Sequence, residues 1–272
     1  MASHARTSGH ALADILRTVR ELSPQKGFAK AWAEVLDAKV GTVEFDRRHS
    51  ECFVLLNATM EAIWGLDERK ERRYSAYVHQ WWRALTLPDG AWGTNVASDD
   101  VITSQALDIL DSLGDVQESA FAGTSSAPSG EDLSGITGAC SDLIDLIEQS
   151  KTLSPQAKRI LSTQVDHVRW LANNVALFGY SAPVQAAENV MGRVAAAGAV
   201  ITDPEEKAKW KQRLVALGTS VIIACGVVQT GAGALESTIT AVTGVLESGD
   251  RLVETIKDDP KEGPPPASGL NE

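Results

Sequence analysis

Apolar residues recur at spacings of three and four along almost the whole chain, with charged and polar residues between them. This spacing places apolar side chains on one face of an α-helix, whereas a strand would need strict alternation over several residues. No convincing alternating run lies between turn formers. The pattern therefore predicts an all-α fold, a multi-helix bundle in which amphipathic helices pack their apolar faces together.

Five helices are predicted in an N-terminal module that covers residues 1–122. The first spans about residues 11–22, and in "SPQKG" Ser23 is expected to cap a second helix that starts at Pro24 and reaches about residue 39. The third covers about residues 45–66, the fourth contains "RRYSAYVHQWWRALTL", and the fifth begins near Ser98. The alternation of apolar and polar faces requires these helices to pack on one another.

A second helical module is expected after the small polar segment "AGTSSAPSGED", which predicts a linker at residues 123–131. The C-terminal bundle then covers residues 132–257. Ser154 with Pro155, and Asp203 with Pro204, are cap-plus-proline signals for two of its helices, and Gly179 is a stop signal. The end of the chain, residues 258–272, is rich in proline and charge and is predicted to be a disordered tail.

Residues 214–235 contain no charged side chain over 22 positions. As a helix this stretch would rise about 33 Å, just enough for the hydrocarbon core of a bilayer, which is about 30 Å thick. Lysines and an arginine precede it, with Trp210 among them, a flank typical of a cytoplasmic membrane interface. The membrane-contact residues predicted from this stretch are Trp210, Leu214, Leu217, Val221, Ile222, Ile223, Val227 and Val228.

Small residues recur every four positions on the same stretch, a ridge that allows helices to pack closely in membranes or in water. The predicted helix-packing residues are Ala216, Ser220 and Ala224. Against membrane insertion, Thr219, Gln229 and several glycines dilute the apolar character. A central helix buried on every face of a bundle would also be uncharged. Both interpretations of residues 214–235 therefore stay open at the level of sequence.

The charge balance bears on partners and location. With 25 basic and 36 acidic residues the net charge is −11, which argues against a protein that binds nucleic acid through phosphate neutralisation. The three cysteines are far apart in apolar surroundings, as expected in a reducing compartment. Since no secretory signal pattern begins the chain, we expect a cytoplasmic protein, associated in one interpretation with the inner face of the cell membrane. The alanine- and glycine-rich composition is compatible with a bacterial source.

No catalytic, cofactor-binding or metal-binding residue is predicted. His49 and Cys52 in "HSEC" share a helical face, but no further cysteine or histidine pair completes a zinc site. The acidic residues of the fifth helix lie opposite its apolar residues and are explained by a solvated face; they are Asp108, Asp111, Asp115 and Glu118. No nucleophile elbow, phosphate-binding loop or zinc-protease motif occurs.

The aromatic residues of the fourth helix are candidates for binding another protein: Tyr74, Tyr77, Trp81 and Trp82. Two functions follow. The first is a non-enzymatic helical effector with a cytoplasmic sensing or docking module and a C-terminal helix that associates with or inserts into the membrane. The alternative is a soluble protein-interaction or scaffold protein with residues 214–235 as its buried central helix. An all-α enzyme with scattered acidic residues and histidines is a third, weaker hypothesis.

Overall fold

A computed structural model describes residues 7–87, 92–120 and 130–224 of the 272-residue chain. Every regular element in these ranges is a helix, which confirms the all-α prediction. The helices are α1 (Ser8–Lys26), α2 (Phe28–Val35), α3 (Val43–Trp64), α4 (Glu68–Thr86), α5 (Ser98–Val101), α6 (Ser104–Ala120), α7 (Gly130–Gln149), α8 (Pro155–Asn173), α9 (Val175–Phe178), α10 (Ser181–Ala199) and α11 (Pro204–Ala224).

The buried side chains form two hydrophobic clusters. The first is built mainly by α1 to α6 and includes Leu16, Trp32, Leu56, Trp81 and Leu110. The second is built by α7, α8, α10 and α11 and includes Ile136, Leu143, Val165, Val194, Trp210 and Leu217. Leu171, Phe178 and Ala182 belong to the first cluster although they lie on α8, α9 and α10. The two clusters are thus tied together by one helical hairpin, and the division into two modules stays a prediction.

Side-chain caps define several helix starts where the sequence predicts them. Ser154 accepts a hydrogen bond from the Ala157 backbone N–H with Pro155 as the first residue of α8. Asp203 accepts one from the Glu205 N–H at the start of α11. Each cap satisfies a backbone donor that has no partner within the helix. These local signals therefore locate α8 and α11 correctly.

Pro24 does not start the second helix, and this corrects the expectation from "SPQKG". α1 continues through Pro24 to Lys26, and Ser23 donates a hydrogen bond to the Val19 carbonyl instead of capping. A proline inside a helix leaves the carbonyl four residues earlier without its donor. Here that carbonyl belongs to Arg20, and the Ser98 hydroxyl of α5 donates to it at 3.2 Å. A residue distant in sequence thus compensates for the missing N–H.

Other element boundaries also differ from those expected. The fifth helix begins at Ser98 but is interrupted after Val101, so α5 and α6 replace it. α7 begins at Gly130, inside the predicted linker, while residues 121–129 lie outside the described part. The weakly amphipathic segment that follows residue 235 and the tail at residues 258–272 lie outside it as well.

Gly27 ends α1 and allows α2 to turn away from it. Its φ of 83° with ψ of 151° is a conformation that residues with a Cβ rarely adopt. The first two backbone N–H groups of α2 donate to carbonyls in a loop distant in sequence. Phe28 N–H donates to the Thr94 carbonyl, and Ala29 N–H donates to the Trp92 carbonyl. A Cβ at position 27 would lie 3.2 Å from the Thr94 oxygen.

We expect Gly27→Ala to lower the free energy of unfolding by about 1–3 kcal/mol, because alanine is strained at this φ and crowds Thr94. Urea unfolding followed by circular dichroism measures the change. Gly93→Ala is the control, since a Cβ there meets no atom within 4 Å. Equal losses in the two variants would contradict the assigned role of Gly27.

Candidate functional site

A cavity of about 620 Å³ lies where α3 faces α8 and α10. α3 contributes Glu51, Val54 and Leu55, and α8 contributes Thr163, Gln164 and His167. The lining residues from α10 are Ala182, Gln185, Ala186, Asn189, Val190 and Arg193. The helices come from both hydrophobic clusters, so the cavity occupies their junction.

The α10 residues that line the cavity recur at spacings of three and four, which places them in one stripe on that helix. The stripe combines small or apolar residues, such as Ala186 and Val190, with the exposed polar residues Gln185, Asn189 and Arg193. On α3, Leu55 is buried and Val54 is 49% exposed. On its α10 and α3 sides the cavity therefore combines buried apolar side chains with exposed polar ones, a mixture that small-molecule sites usually have.

Glu51 is the charged group inside this cavity. Its side chain is 6% exposed, and its carboxylate lies 3.4 Å from His167 Nε2 on α8. One turn earlier on α3, the Arg47 guanidinium lies over the Trp170 ring, 4.1 Å from its centroid. The Trp170 ring also stacks on the His167 imidazole, with centroids 5.8 Å apart. Two polar contacts in consecutive turns therefore connect α3 with α8 beside the cavity.

No motif or pattern in the sequence marks Glu51, Gln164 or Arg193 as a candidate site residue. Their positions follow from helix register, since Glu51 lies beside the buried Cys52 on α3 and Gln164 lies beside the buried Val165 on α8. A carboxylate next to the apolar stripe of α3 was the available signal. It is weak, because the sequence cannot show which distant helix faces that position.

Four of the predicted membrane-contact residues lie in the second hydrophobic cluster: Trp210, Leu214, Leu217 and Val221. Ile223 is 40% exposed near the end of α11. The Ile222 side chain, Val227 and Val228 lie outside the described part of the chain. Among the described residues, no helix is both long enough and apolar enough to cross a bilayer.

The described part of α11 is buried on one face only. Lys209, Lys211 and Ala216 are exposed, whereas Leu214 and Leu217 are fully buried. Over its described residues α11 therefore has one buried face and one exposed face, and the two interpretations of residues 214–235 stay predictions.

The predicted helix-packing ridge is divided by the structure. Ser220 faces α7, since a Cβ at Gly135 would lie 3.5 Å from the Ser220 hydroxyl. Ala216 is exposed instead, and the Ala224 side chain is not described. Close packing in this bundle thus uses Ser220 against a glycine of α7.

The aromatic residues proposed to bind a partner differ in exposure. Tyr74 and Trp81 are buried, with the Tyr74 hydroxyl 3.2 Å from Ser112 Oγ and the Trp81 ring N–H donating to the Ala106 carbonyl. Tyr77 is half-buried and Trp82 is 44% exposed. Of these four side chains, Tyr77 and Trp82 are the two that are accessible to another protein.

The acidic row of the fifth predicted helix lies on α6 and partly pairs with α1. Asp111 contacts the Arg17 guanidinium, and Asp115 lies 3.1 Å from His10 Nε2. Burial raises the pKa of the Asp111 carboxyl above its ordinary value, although Arg17 opposes this shift. Within the described ranges, no group of three or more histidine, cysteine or acidic side chains is arranged to hold a metal ion.

The two described cysteines are buried free thiols. Burial raises the pKa of Cys140 to about 12, and it raises the pKa of Cys52 further still. Both thiols therefore stay protonated at neutral pH, so they are poor nucleophiles and poor metal ligands. Cys225 lies outside the described residues.

His49 belongs to an aromatic cluster rather than to a metal site. Its ring packs edge-on against Trp32 and stacks on Phe45, with centroids 4.8 Å and 5.6 Å away. Its Nε2 lies 3.1 Å from the Leu85 carbonyl, to which the neutral ring donates a hydrogen bond. Burial lowers the pKa of His49 below the ordinary value of 6.5.

This depressed pKa predicts that the fold loses stability in weak acid. The neutral form of His49 contributes fully above pH 6.5, the ordinary value, and the contribution falls as the pH drops toward the lowered pKa. His49→Gln, whose amide N–H can also donate to Leu85, should flatten this dependence. The measurement is urea unfolding at about pH 7.5 and about pH 5.5. The exposed His79→Gln serves as control, and an unchanged slope in His49→Gln would contradict the assignment.

Comparison with known proteins adds no functional assignment. No protein-family model matches the chain, and no curated protein or solved structure matches it either.

Proposed function

We propose that this protein is a non-enzymatic helical protein that binds a small molecule in the cavity between α3, α8 and α10. The observation that supports this most directly is the position of Glu51, a buried carboxylate at the wall of an open cavity. Buried charges are costly unless they are paired, so they occur mainly where a partner or ligand compensates them. The cavity volume of about 620 Å³ falls within the range of small-molecule sites.

Binding here would couple the two hydrophobic clusters. A ligand that touches Glu51 on α3 and also Gln164 or Ala186 bridges helices that belong to different clusters. Because such a ligand favours the arrangement in which α3 lies against α8 and α10, it stabilises that arrangement by its binding free energy. This is the behaviour expected of a sensing module in a cytoplasmic effector, with a second protein docking near Tyr77 and Trp82.

The cavity walls favour binding over catalysis. Glu51 and His167 form one ionisable pair, and general acid–base catalysis would also need a positioned nucleophile or a group that stabilises developing charge. The described cysteines lie in the clusters as protonated thiols and do not line the cavity. We therefore propose a binding role for the pair.

Ala186→Trp should abolish binding, because the indole occupies the cavity. In a thermal-unfolding screen of the full chain against a collection of small molecules, a ligand at about 100 times its Kd adds roughly 2.7 kcal/mol to stability. We expect such ligands to stabilise the unmodified protein and not Ala186→Trp. Ala76→Trp, an exposed position on α4, is the matched control. The proposal is overturned if no compound stabilises the unmodified protein. It is also overturned if the same compounds stabilise Ala186→Trp as much as the unmodified protein.

A second candidate function is conditional association with a membrane through the stretch that starts on α11. It is favoured by the exposure of Ile223 at the end of α11 and by the exposed Lys209 and Lys211, which lie about three to four turns earlier. Lysines bind anionic headgroups and apolar side chains enter the acyl boundary. The buried residues of α11 would have to leave the second cluster for deeper insertion.

Co-sedimentation of the full chain with vesicles of phosphatidylglycerol and phosphatidylcholine tests this candidate. Ile223→Asp should weaken binding about tenfold or more, because aspartate is costly in the acyl region. Gln212→Asp adds the same charge at an exposed position of α11 and is the control. Val221→Asp is unsuitable, since Val221 is 3% exposed and a charge there would unfold the bundle. No sedimentation, or equal effects of the two aspartates, would refute the candidate.

A further inference from the structure

Among the described residues, the Glu51 carboxylate has one recorded polar partner, His167 on α8. The salt bridge that the structure records for this carboxylate is the contact with His167 Nε2, and at 3.4 Å it is longer than an ordinary N–H···O hydrogen bond. A carboxylate accepts about four hydrogen bonds through its two oxygens. The two arginines that precede Glu51 on α3 are engaged elsewhere, since Arg47 lies over Trp170 and Arg48 pairs with Glu44. Beyond the His167 contact, no partner of this carboxylate is recorded among the described residues, and Glu51 lines the cavity.

A second acceptor lines the same cavity. Gln164 Oε1 is buried, and it has no hydrogen-bond partner among the described residues. Gln164 and His167 are three residues apart on α8, so they project from the same face of that helix. Glu51 on α3 is an anionic acceptor, and Gln164 on α8 is a neutral acceptor one turn from the His167 that contacts Glu51. Together they match a ligand group with several N–H donors and a positive charge.

The other residues that line the cavity favour a ligand with a cationic group at one end only. Leu55, Ala186 and Val190 offer apolar contacts, and Arg193 is the last of the α10 residues that line the cavity. Ala186 and Arg193 are two helical turns apart, about 10 Å along the axis. A second cation near Arg193 would be repelled, whereas an anionic group there would be attracted.

We infer that the cavity binds a small organic cation whose amine or guanidinium group pairs with Glu51 and whose apolar body lies along α10 toward Arg193. This inference rests on the proposed function and names the ligand class of the same site. The cationic group donates to Glu51 and Gln164, and the apolar body covers Leu55, Ala186 and Val190. A carboxylate at the opposite end of the ligand would add a contact with Arg193.

Probes that share one six-carbon body and differ only at their ends test the charge preference. Calorimetric titration of the full chain with hexylamine, hexanol, hexanoate and ε-aminocaproate measures each affinity. We expect hexylamine to bind about tenfold or more tightly than hexanol and hexanoate, since hydrogen bonds to charged groups are the stronger ones. ε-Aminocaproate should bind at least as tightly as hexylamine, and Arg193→Gln should remove any advantage it has.

Glu51→Gln tests the assigned partner, because the amide keeps the shape and loses the charge. It should weaken hexylamine binding about tenfold or more and leave hexanol binding unchanged. Glu61→Gln, an exposed position on the same helix, should change neither. Circular dichroism and thermal unfolding establish that both variants keep the fold.

Three results would overturn the inference: equal binding of hexylamine and hexanol, equal hexylamine binding by Glu51→Gln and the unmodified protein, or no binding of any of the four probes. Its failure is distinguishable from failure of the proposed function. If compounds of another charge class bind and Ala186→Trp abolishes their binding, the cavity is a ligand site with a different preference. If no compound of any class binds, both fail.

Discussion

The hairpin formed by α8, α9 and α10 is shared by two hydrophobic clusters, and the arrangement of the chain depends on it. Val165 and Val168 pack in the second cluster, and one turn later Leu171 packs in the first. Phe178 extends the contact with the first cluster from α9. Since each apolar side chain contributes about 1.5–3 kcal/mol when buried, neither cluster can separate from the hairpin without a large loss of stability.

The cavity is a consequence of this sharing. α10 lines the cavity with small side chains such as Ala182 and Ala186, which leave space between α10 and α3. Polar side chains at the same junction, above all Glu51 and His167, prevent it from closing as a dry core. The hairpin shared by the two clusters therefore accounts for the cavity and for the buried position of Glu51 beside it.

Residues 214–235 show how far hydrophobicity alone can be interpreted. Their length and lack of charge fit either a membrane segment or a buried helix, and the sequence does not distinguish these environments. In the structure the first turns bury Leu214 and Leu217 against neighbouring helices, and Ile223 is exposed. Both alternatives, membrane association and burial in the bundle, therefore apply to a helix that already packs one face against its neighbours.

The sequence by itself determined the helical class, most helix positions and caps such as Ser154, because these depend on interactions within a few residues. It also identified the apolar stripes that become the two clusters. Tertiary structure decided that Pro24 stays inside α1, since its missing donor is replaced by Ser98. The packing of α3 near α8 and α10 also decided that Glu51 contacts His167 and that a cavity lies beside the two residues. Such pairings depend on which helices meet, and local patterns contain no information about that choice.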